Sequence, residues 1–290
     1  MEILVQLIIN GLLLGGAFAI ISIGLTLIFG LVRVINFAHG EFLMIGMYMV
    51  YFLNLEFGWH PYVSAIPVAL ALFFIGAVMQ RYIIQPLLGA PAEIQIFATV
   101  GISIALLNLA LLVFGADVRP VVVEVGAGSV GVGGYTIGIG QWVTFITAIV
   151  LVGALHLFLT RTHLGRAFRA VAQQRDAAAL MGVNVNRIYI LAFGVGSACV
   201  GLAAGLLSTQ YPVFPTVGTY FILAAFVVVV LGGMGSMYGA LFGALIIGLV
   251  DSLSGYYFAP DLKEVAYFSI FILILIFRPT GLFGLGRGSE

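Results

Sequence analysis

The sequence predicts an all-α fold, a polytopic transmembrane helical bundle of about 8–10 spans. Two observations predict it: the composition and the uncharged runs. The chain has 290 residues, 62% hydrophobic and 8% charged, with a mean hydropathy of +1.21, whereas a soluble domain carries about 25% charged residues. Eleven basic and eleven acidic side chains cannot cover a water-exposed surface of this size. The zero net charge excludes a nucleic-acid-binding protein, which needs a basic face.

The uncharged runs locate the spans, because a helix needs about 20 apolar residues to cross the hydrocarbon core. The longest run, 188–250, is long enough for three crossings, and its Pro- and Gly-rich stretches Tyr211–Gly218 and Gly232–Gly239 predict two breaks. Two shorter runs become spans only if they extend over charged flanks. We predict nine helices, with eight or ten as alternatives, near residues 4–29, 39–55, 61–80, 94–114, 141–160, 187–209, 219–232, 239–257 and 262–278.

Lysine and arginine predict the orientation. Five of the eleven basic residues lie in the loop 161–187, which the positive-inside rule places in the cytoplasm. Counting spans from this loop puts the N-terminus and the loop 115–140 outside and the C-terminus inside. Nine of the eleven basic residues then lie inside, and the two exceptions are Arg119 and Lys263.

The loop 115–140 contains two β-like stretches, Val121–Val125 and Tyr135–Ile139, separated by a glycine-rich segment. This pattern is typical of a small hairpin, here expected on the outer membrane surface. An ordered glycine-rich linker is the alternative.

The sequence lacks the residues that several kinds of catalysis and metal binding require. Lys263 is the only lysine and is followed by Glu264, so a phosphate-binding GxxxxGK[ST] loop is absent. The four histidines are scattered, and a single cysteine, Cys199, excludes an internal disulfide and a cysteine-based metal site. The sequence therefore predicts no cofactor, no metal and no enzymatic activity.

The loop 161–187 predicts two short amphipathic helices. Asp176 is placed to cap the second, Ala177–Met181, and Gly182 to end it in the left-handed conformation. A solvated loop whose arginines set topology and contact anionic lipid is the alternative. Helical spacing puts one set of residues on an apolar face and a second set on the opposite face: Leu164, Phe168, Val171 and Ala178 against Arg166, Arg169, Gln173 and Asp176.

Polar residues at membrane depth are costly, so Asn36, His39, Glu41 and Asp251 are candidates for a pathway or gate. For Glu41 the alternative is an ion pair with Arg33 at a broken helix start. Asp251 either lines the path or extends to the outer surface.

Small and polar residues give weaker signals of helix packing. Asn108 is expected to form a hydrogen bond across helices. The stretches 38–46 and 235–243 both place a small-residue break before an apolar helix, a pattern that points by analogy to an internal repeat. Small-xxx-small pairs predict close helix packing at Gly201, Gly205, Gly239 and Gly243.

A motif in the loop 161–187 resembles one found in a known family of proteins. Asp176-Ala177-Ala178, followed after three residues by Gly182, resembles the EAA-x3-G loop of ABC-importer permeases, with aspartate in place of the usual glutamate. More narrowly, the chain resembles the LivH-type permease subunits of branched-chain amino acid importers over nearly its whole length. The matching stretches are 30–42, 165–182 and 230–236.

The resemblance implies a function and a set of partners. The loop is expected to form coupling helices that dock into a cytoplasmic ATPase. An extracytoplasmic substrate-binding protein and a second, homologous permease subunit are the other expected partners, apart from membrane lipid. The coupling residues are then Arg166, Arg169, Arg175, Asp176, Ala177, Ala178 and Gly182.

We therefore predict one transmembrane permease domain over residues 1–290, in the bacterial inner membrane as a multi-pass protein, which translocates branched-chain or related amino acids. Urea and short-chain amides are alternative substrates within the same family. A proton-coupled secondary transporter that uses Glu41 and Asp251 as relays is the alternative from another class, and an enzyme of the bilayer is the third.

Overall fold

The computed structural model describes residues 2–123, 128–258, 262–278 and 280–284. The fold is mostly helical, and α3 continues through a π-helical turn, Gln80–Ile84, into α4. The helices are α1 (Glu2–Val32), α2 (His39–Phe57), α3 (Pro61–Met79), α4 (Gln85–Leu87), α5 (Ala92–Phe114), α6 (Ile139–Arg161), α7 (His163–Gln173), α8 (Arg175–Leu180), α9 (Val185–Leu207), α10 (Val217–Gly232), α11 (Met237–Tyr257) and α12 (Lys263–Phe277).

A helix is present at each of the nine predicted positions, and the breaks at 211–218 and 232–239 are confirmed. In the described part of the chain, six helices are long and apolar enough to cross a membrane: α1, α3 with its extension to Leu87, α5, α6, α9 and α11. The apolar helix α10 has 16 residues and α12 has 15, so both are shorter than a full span. The predicted all-helical membrane fold is thus confirmed, with fewer full-length spans than helices.

The hairpin is confirmed, but one of its strands is not the predicted one. β1 (Ser129–Val132) pairs antiparallel with β2 (Tyr135–Gly138). The predicted first strand, 121–125, is wrong over residues 121–123, which lie in no strand, and residues 124–125 lie outside the described residues. A two-residue hairpin turn favours positive φ at both positions. Gly133 and Gly134, at φ +59° and +89°, supply it directly before β2.

Glycines let the central helices approach one another closely. A methyl group on Gly15 of α1 would lie 2.9 Å from the carbonyl oxygen of Ala244 on α11. A methyl group on Gly201 of α9 would lie 2.5 Å from the Cα of Ala69 on α3. The prediction of close packing at Gly201, Gly205, Gly239 and Gly243 is confirmed, because a side chain at each would meet another segment's backbone or side chains.

The bundle has two distinct ends. We call the end that carries β1 and β2 the hairpin end, and the end that carries α7 and α8 the arginine-loop end. α6 joins the two ends with 23 residues, a length of about 35 Å. α1 begins at the hairpin end, where the side chain of Gln6 bonds to the backbone of Thr136.

Candidate functional site

α7 begins directly after α6 because Thr162 breaks the helix and caps the next one. The Thr162 hydroxyl accepts a hydrogen bond from the backbone N–H of Gly165 at 2.9 Å. Phe168 and Val171 are buried, and the ring of Phe168 meets that of Phe158 on α6 edge-on. Leu164, predicted on the same apolar face, is 49% exposed, since the face that packs on α6 and α9 is narrower than the sequence pattern.

α8 begins earlier than predicted, and Asp176 does not cap it. The cap residue is Gln174, so Asp176 lies inside the first turn, where its charge favours the positive end of the helix. The predicted helix end is confirmed, because Gly182 adopts φ +86°. Its N–H donates to the carbonyl of Ala179, and Val183 donates to that of Ala178.

The arginines of this loop are exposed and largely free of acidic partners. Arg166 contacts the His163 ring at 2.7 Å, and the Arg175 guanidinium lies 5.9 Å from the ring of Tyr189. Arg169 and the carboxylate-bearing Asp176 are both exposed, and no ion pair joins them among the described residues. The loop therefore presents positive charge outward.

Sequence reasoning missed the two most exposed apolar side chains of the loop. Leu180 and Met181, at the end of α8, are 89% and 85% exposed. They directly precede Gly182, whose left-handed turn directs the chain back to α9 and leaves the tip of α8 projecting. Their position before a helix-ending glycine was the available signal.

At the other candidate site, the chain re-enters the bundle between α1 and α2. The Nε2 atom of His39 lies 3.2 Å from the carbonyl oxygen of Ile21 on α1. Ile21 is about 16 Å back along the axis from Val32, where α1 ends, at 1.5 Å per residue. α2 therefore begins well inside the bundle.

The segment that joins α1 to α2, which we call the re-entrant segment, is irregular backbone buried inside the protein. Val34, Asn36 and Ala38 are all buried, as non-helical backbone at membrane depth must be. The side-chain oxygen of Asn36 accepts a hydrogen bond from the N–H of Ala38 at 3.1 Å, which shapes the turn into α2. The amide nitrogen of Asn36 and the Nδ1 of His39 have no hydrogen-bond partner in the described structure.

Glu41 is buried and does not pair with Arg33, so that predicted ion pair is wrong. One carboxylate oxygen of Glu41 accepts a hydrogen bond from Ser103 on α5 at 3.0 Å, and the other has no partner among the described residues. Arg33 is exposed and ends α1 in the left-handed conformation, at φ +59°. The turn after Val32 leaves Arg33 outside while the next residues carry Glu41 inward.

The first turns of α2 and α10 cross each other with their backbones in contact. A methyl group on Gly40 would lie 2.6 Å from the carbonyl oxygen of Gly218, and one on Gly218 would overlap the carbonyl of Gly40. The hydroxyl of Ser22 on α1 contacts the carbonyl of Ala225 on α10 at 3.4 Å, so α10 also begins inside the bundle. Two helix starts, with their positive ends, thus meet near the middle of α1.

Asp251 lies elsewhere and has a partner. It is 2% exposed and accepts a hydrogen bond from the Lys263 ammonium at 3.0 Å, so the expectation that it extends to the surface is wrong. The adjacent Ser252 bonds to the carbonyl of Leu7, which places Asp251 near the start of α1. Leu7 and Ile21 are about 21 Å apart along α1, so the structure does not bring Asp251 together with His39 and Glu41.

Asn108 does not form the expected hydrogen bond across helices. Its amide donates to the carbonyl of Ile104, one turn earlier on α5, and the residue is exposed. The proposed correspondence of 38–46 with 235–243 stays a prediction; the helix start that meets α2 is that of α10.

The six long apolar helices and the projecting loop define a polytopic membrane protein. Residues 7–277 match the family described as "Branched-chain amino acid transport system / permease component", and the chain belongs to this family. Membership confirms the predicted class, a non-enzymatic, multi-pass permease component of a branched-chain amino acid ABC transport system.

Two relatives match nearly the whole chain, and a third matches about half of it. It is 33% identical to the high-affinity branched-chain amino acid transport system permease protein BraD of Pseudomonas aeruginosa, over 96% of this chain and 95% of that protein. The identity to the corresponding LivH protein of Escherichia coli is also 33%, with the same coverage. The high-affinity branched-chain amino acid transport system permease protein LivM of Escherichia coli is 30% identical over 49% of this chain and 34% of its own length.

One solved structure shares the fold. PsaBC from Streptococcus pneumoniae in complex with Fab superposes with a TM-score of 0.51 at 13% identity, over 94% of this chain and 92% of that one. At this identity the likeness concerns the helical architecture alone.

Proposed function

We propose that this chain forms the path by which branched-chain or related amino acids cross the membrane, driven by ATP hydrolysis in partner subunits. The names of the full-length relatives support the substrate class. The proposal adopts the orientation that the positive-inside rule predicts, with α7 and α8 in the cytoplasm. The observation that carries the coupling role is the exposed pair Leu180 and Met181 at the tip of α8.

Two neighbouring apolar side chains left in water favour a partner that buries them. The exposed arginines Arg166 and Arg169 add positive charge to the same loop. An apolar cleft with an acidic rim on an ATPase subunit would match both features. Docking there would transmit ATPase closure to α7, which packs on α1, α6 and α9.

The remaining partners are a second permease subunit and a binding protein that delivers the solute from outside. The similarity to LivM, another branched-chain amino acid transport system permease protein of Escherichia coli, supports a heteromeric pair. The hairpin end is the side that a delivering protein would meet in this orientation.

The proton-coupled alternative is disfavoured by the positions of its two carboxylates. Glu41 contacts α5 beside the re-entrant segment, whereas Asp251 lies near the start of α1 and is already paired with Lys263. A direct relay would have to bridge the difference in depth between the levels of Leu7 and Ile21, about 21 Å along α1.

The test is reconstitution of all subunits in liposomes, with ATP hydrolysis and uptake of labelled leucine, valine and urea measured together. We expect leucine uptake that needs both ATP and loaded binding protein. The double substitution Leu180→Ser with Met181→Ser should lower stimulated ATP hydrolysis by roughly tenfold or more, since each buried apolar side chain contributes over about 1 kcal/mol. Leu164→Ser, half exposed on α7, is the matched control and should behave like the wild type.

Other results would overturn the proposal. Accumulation of leucine by this chain alone, powered by a proton gradient, would contradict the ABC mechanism. Uptake of urea without leucine would keep the mechanism and change the substrate.

A further inference from the structure

A cavity of about 570 Å³ opens at the hairpin end, between α1, the hairpin, the start of α6 and the segment that follows α9. Small-molecule sites occupy roughly 300–1,000 Å³, so the volume suits a small metabolite. The side chains that give the cavity its chemistry are those of Gln6, Asn10, Gln141, Thr209, Gln210 and Tyr211.

The cavity offers neutral hydrogen-bonding groups. The Gln6 amide is occupied by Thr136 and by the side-chain oxygen of Asn10. The Asn10 amide nitrogen, the whole Gln141 amide and the Tyr211 hydroxyl make no hydrogen bond to the described part of the chain. None of the described lining residues is charged. Free donors and acceptors therefore face a small space whose described lining carries no charge.

An aromatic layer begins at Tyr211 in the cavity lining and continues deeper into the bundle. The ring of Tyr211 lies 5.2 Å from that of Phe221 on α10, which in turn lies 6.3 Å from that of Phe18 on α1. Phe18 is about 12 Å deeper along α1 than Asn10. α10 runs in the same direction as α1, away from the hairpin end, because Phe221 pairs with Phe18 and Ala225 with Ser22. Gly218 and its crossing with Gly40 therefore lie one turn nearer the hairpin end than Phe221. The cavity thus lies on the hairpin side of these aromatic contacts.

We propose that this cavity receives the α-ammonium and α-carboxylate groups of a neutral amino acid before the aromatic layer opens. This inference rests on the proposed function and names the site at the outer side where the substrate first binds the permease. The Tyr211 ring supplies apolar surface on which the aliphatic side chain of the substrate rests.

The lining chemistry selects a ligand without net charge. A zwitterion needs donors for its carboxylate and acceptors for its ammonium, and an Asn or Gln amide supplies both. A third charge on the substrate side chain would lose its hydration without gaining a counter-charge from the described lining, which is costly. Leucine, isoleucine and valine therefore fit, whereas lysine and glutamate do not.

The test uses the complete complex in liposomes with leucine-loaded binding protein. Gln141→Ala and Asn10→Ala should each lower leucine uptake per ATP hydrolysed by about fivefold, the usual effect of one lost hydrogen bond. Stimulated ATP hydrolysis should stay within about twofold of the wild type, because the coupling loop is untouched. Asn54→Ala removes an amide from the end of α2, outside the cavity, and should leave uptake unchanged.

A labelling experiment does not depend on transport. In a Cys199→Ala background, the substitution Gln141→Cys should react with an impermeant thiol reagent from the hairpin side, and loaded binding protein should slow the reaction. Unchanged uptake in both alanine variants, or a thiol that leucine delivery does not protect, would overturn this site. If the wild-type complex transports leucine in either case, the proposed function stands while this inference fails. Absence of ATP-driven leucine uptake in the wild type overturns both.

Discussion

The side-chain amide of Gln6 on α1 makes both hydrogen bonds to the backbone of Thr136 in β2. Its nitrogen donates to the Thr136 carbonyl at 2.8 Å, and its oxygen accepts from the Thr136 N–H at 3.0 Å. The amide thus takes the place of a neighbouring strand along the open edge of a two-stranded hairpin. This contact fixes the hairpin over the cavity.

Gln6→Ala should release the hairpin. Each lost hydrogen bond contributes about 1 kcal/mol, so protection of the Thr136 amide from hydrogen exchange should fall about fivefold or more. Gln6→Glu keeps an acceptor for the N–H but loses the donor, and its protection should be intermediate. Exchange measured by mass spectrometry on the hairpin peptide tests this, with peptides of α9 as the unaffected reference.

The predicted orientation places Ser129 outside and Gln174 inside, and single cysteines can test it. In a Cys199→Ala background, an impermeant thiol reagent applied to intact cells should label Ser129→Cys and spare Gln174→Cys. Both positions are exposed, so accessibility alone does not distinguish them. Permeabilised cells should label both. The reverse pattern in intact cells would overturn the orientation and the placement of the coupling loop.

Hydropathy and the residue types found at turns were sufficient to predict most of the helices. The breaks at 211–218 and 232–239 contain proline and glycine residues that interrupt helices for local reasons, and Gly182 ends α8 as its type predicts. The first strand was misplaced because 121–125 was chosen for its β-like composition, whereas the two-glycine turn Gly133–Gly134 sets which residues pair with β2.

Long-range partners were not predictable in the same way. Glu41 is near Arg33 in sequence, yet the chain turns back into the bundle after Val32 and Glu41 meets Ser103 on another helix. The Asp251–Lys263 pair joins α11 to α12. The crossing of Gly40 with Gly218 depends on where α2 and α10 begin in depth, which hydropathy does not report.

Gly182→Val should leave an inserted, correctly assembled helical protein but abolish coupling. There is open space around Gly182, so the obstacle is its backbone at φ +86°, which a β-branched residue rarely adopts. We expect loss of ATPase stimulation and of uptake together. Gly182→Asn is the matched control, because asparagine tolerates the left-handed region and should retain most of the activity. Full activity in the valine variant would contradict a coupling role for this turn.

The Asp251–Lys263 pair should show strong coupling in a double-mutant cycle. Lys263→Met leaves a buried carboxylate without its cation. It should lower the free energy of unfolding by about 1–3 kcal/mol, less than for a fully buried ion pair because Lys263 is 32% exposed. Adding Asp251→Asn should recover most of that loss. Thermal unfolding of the purified variants in detergent measures their order of stability. Additive losses in the double variant would show that the pair does not act as a unit.

The contact between Gly40 and Gly218 predicts that either position rejects even a methyl group. Gly40→Ala would put a carbon 2.6 Å from the carbonyl oxygen of Gly218 and 2.8 Å from the Cβ of Ile222, so α2 and α10 must separate. α2 is held on another side by α9, and α10 by α1 and α11. We therefore expect at least a tenfold loss of uptake or a leak of solute, because overpacking costs about 1–3 kcal/mol. Gly218→Ala should act alike. Gly153→Ala, in open space on α6, is the control and should transport normally. Uptake that survives both alanine variants while the protein remains folded would show that the two helix starts separate freely during transport, which would remove this crossing as a barrier in the path.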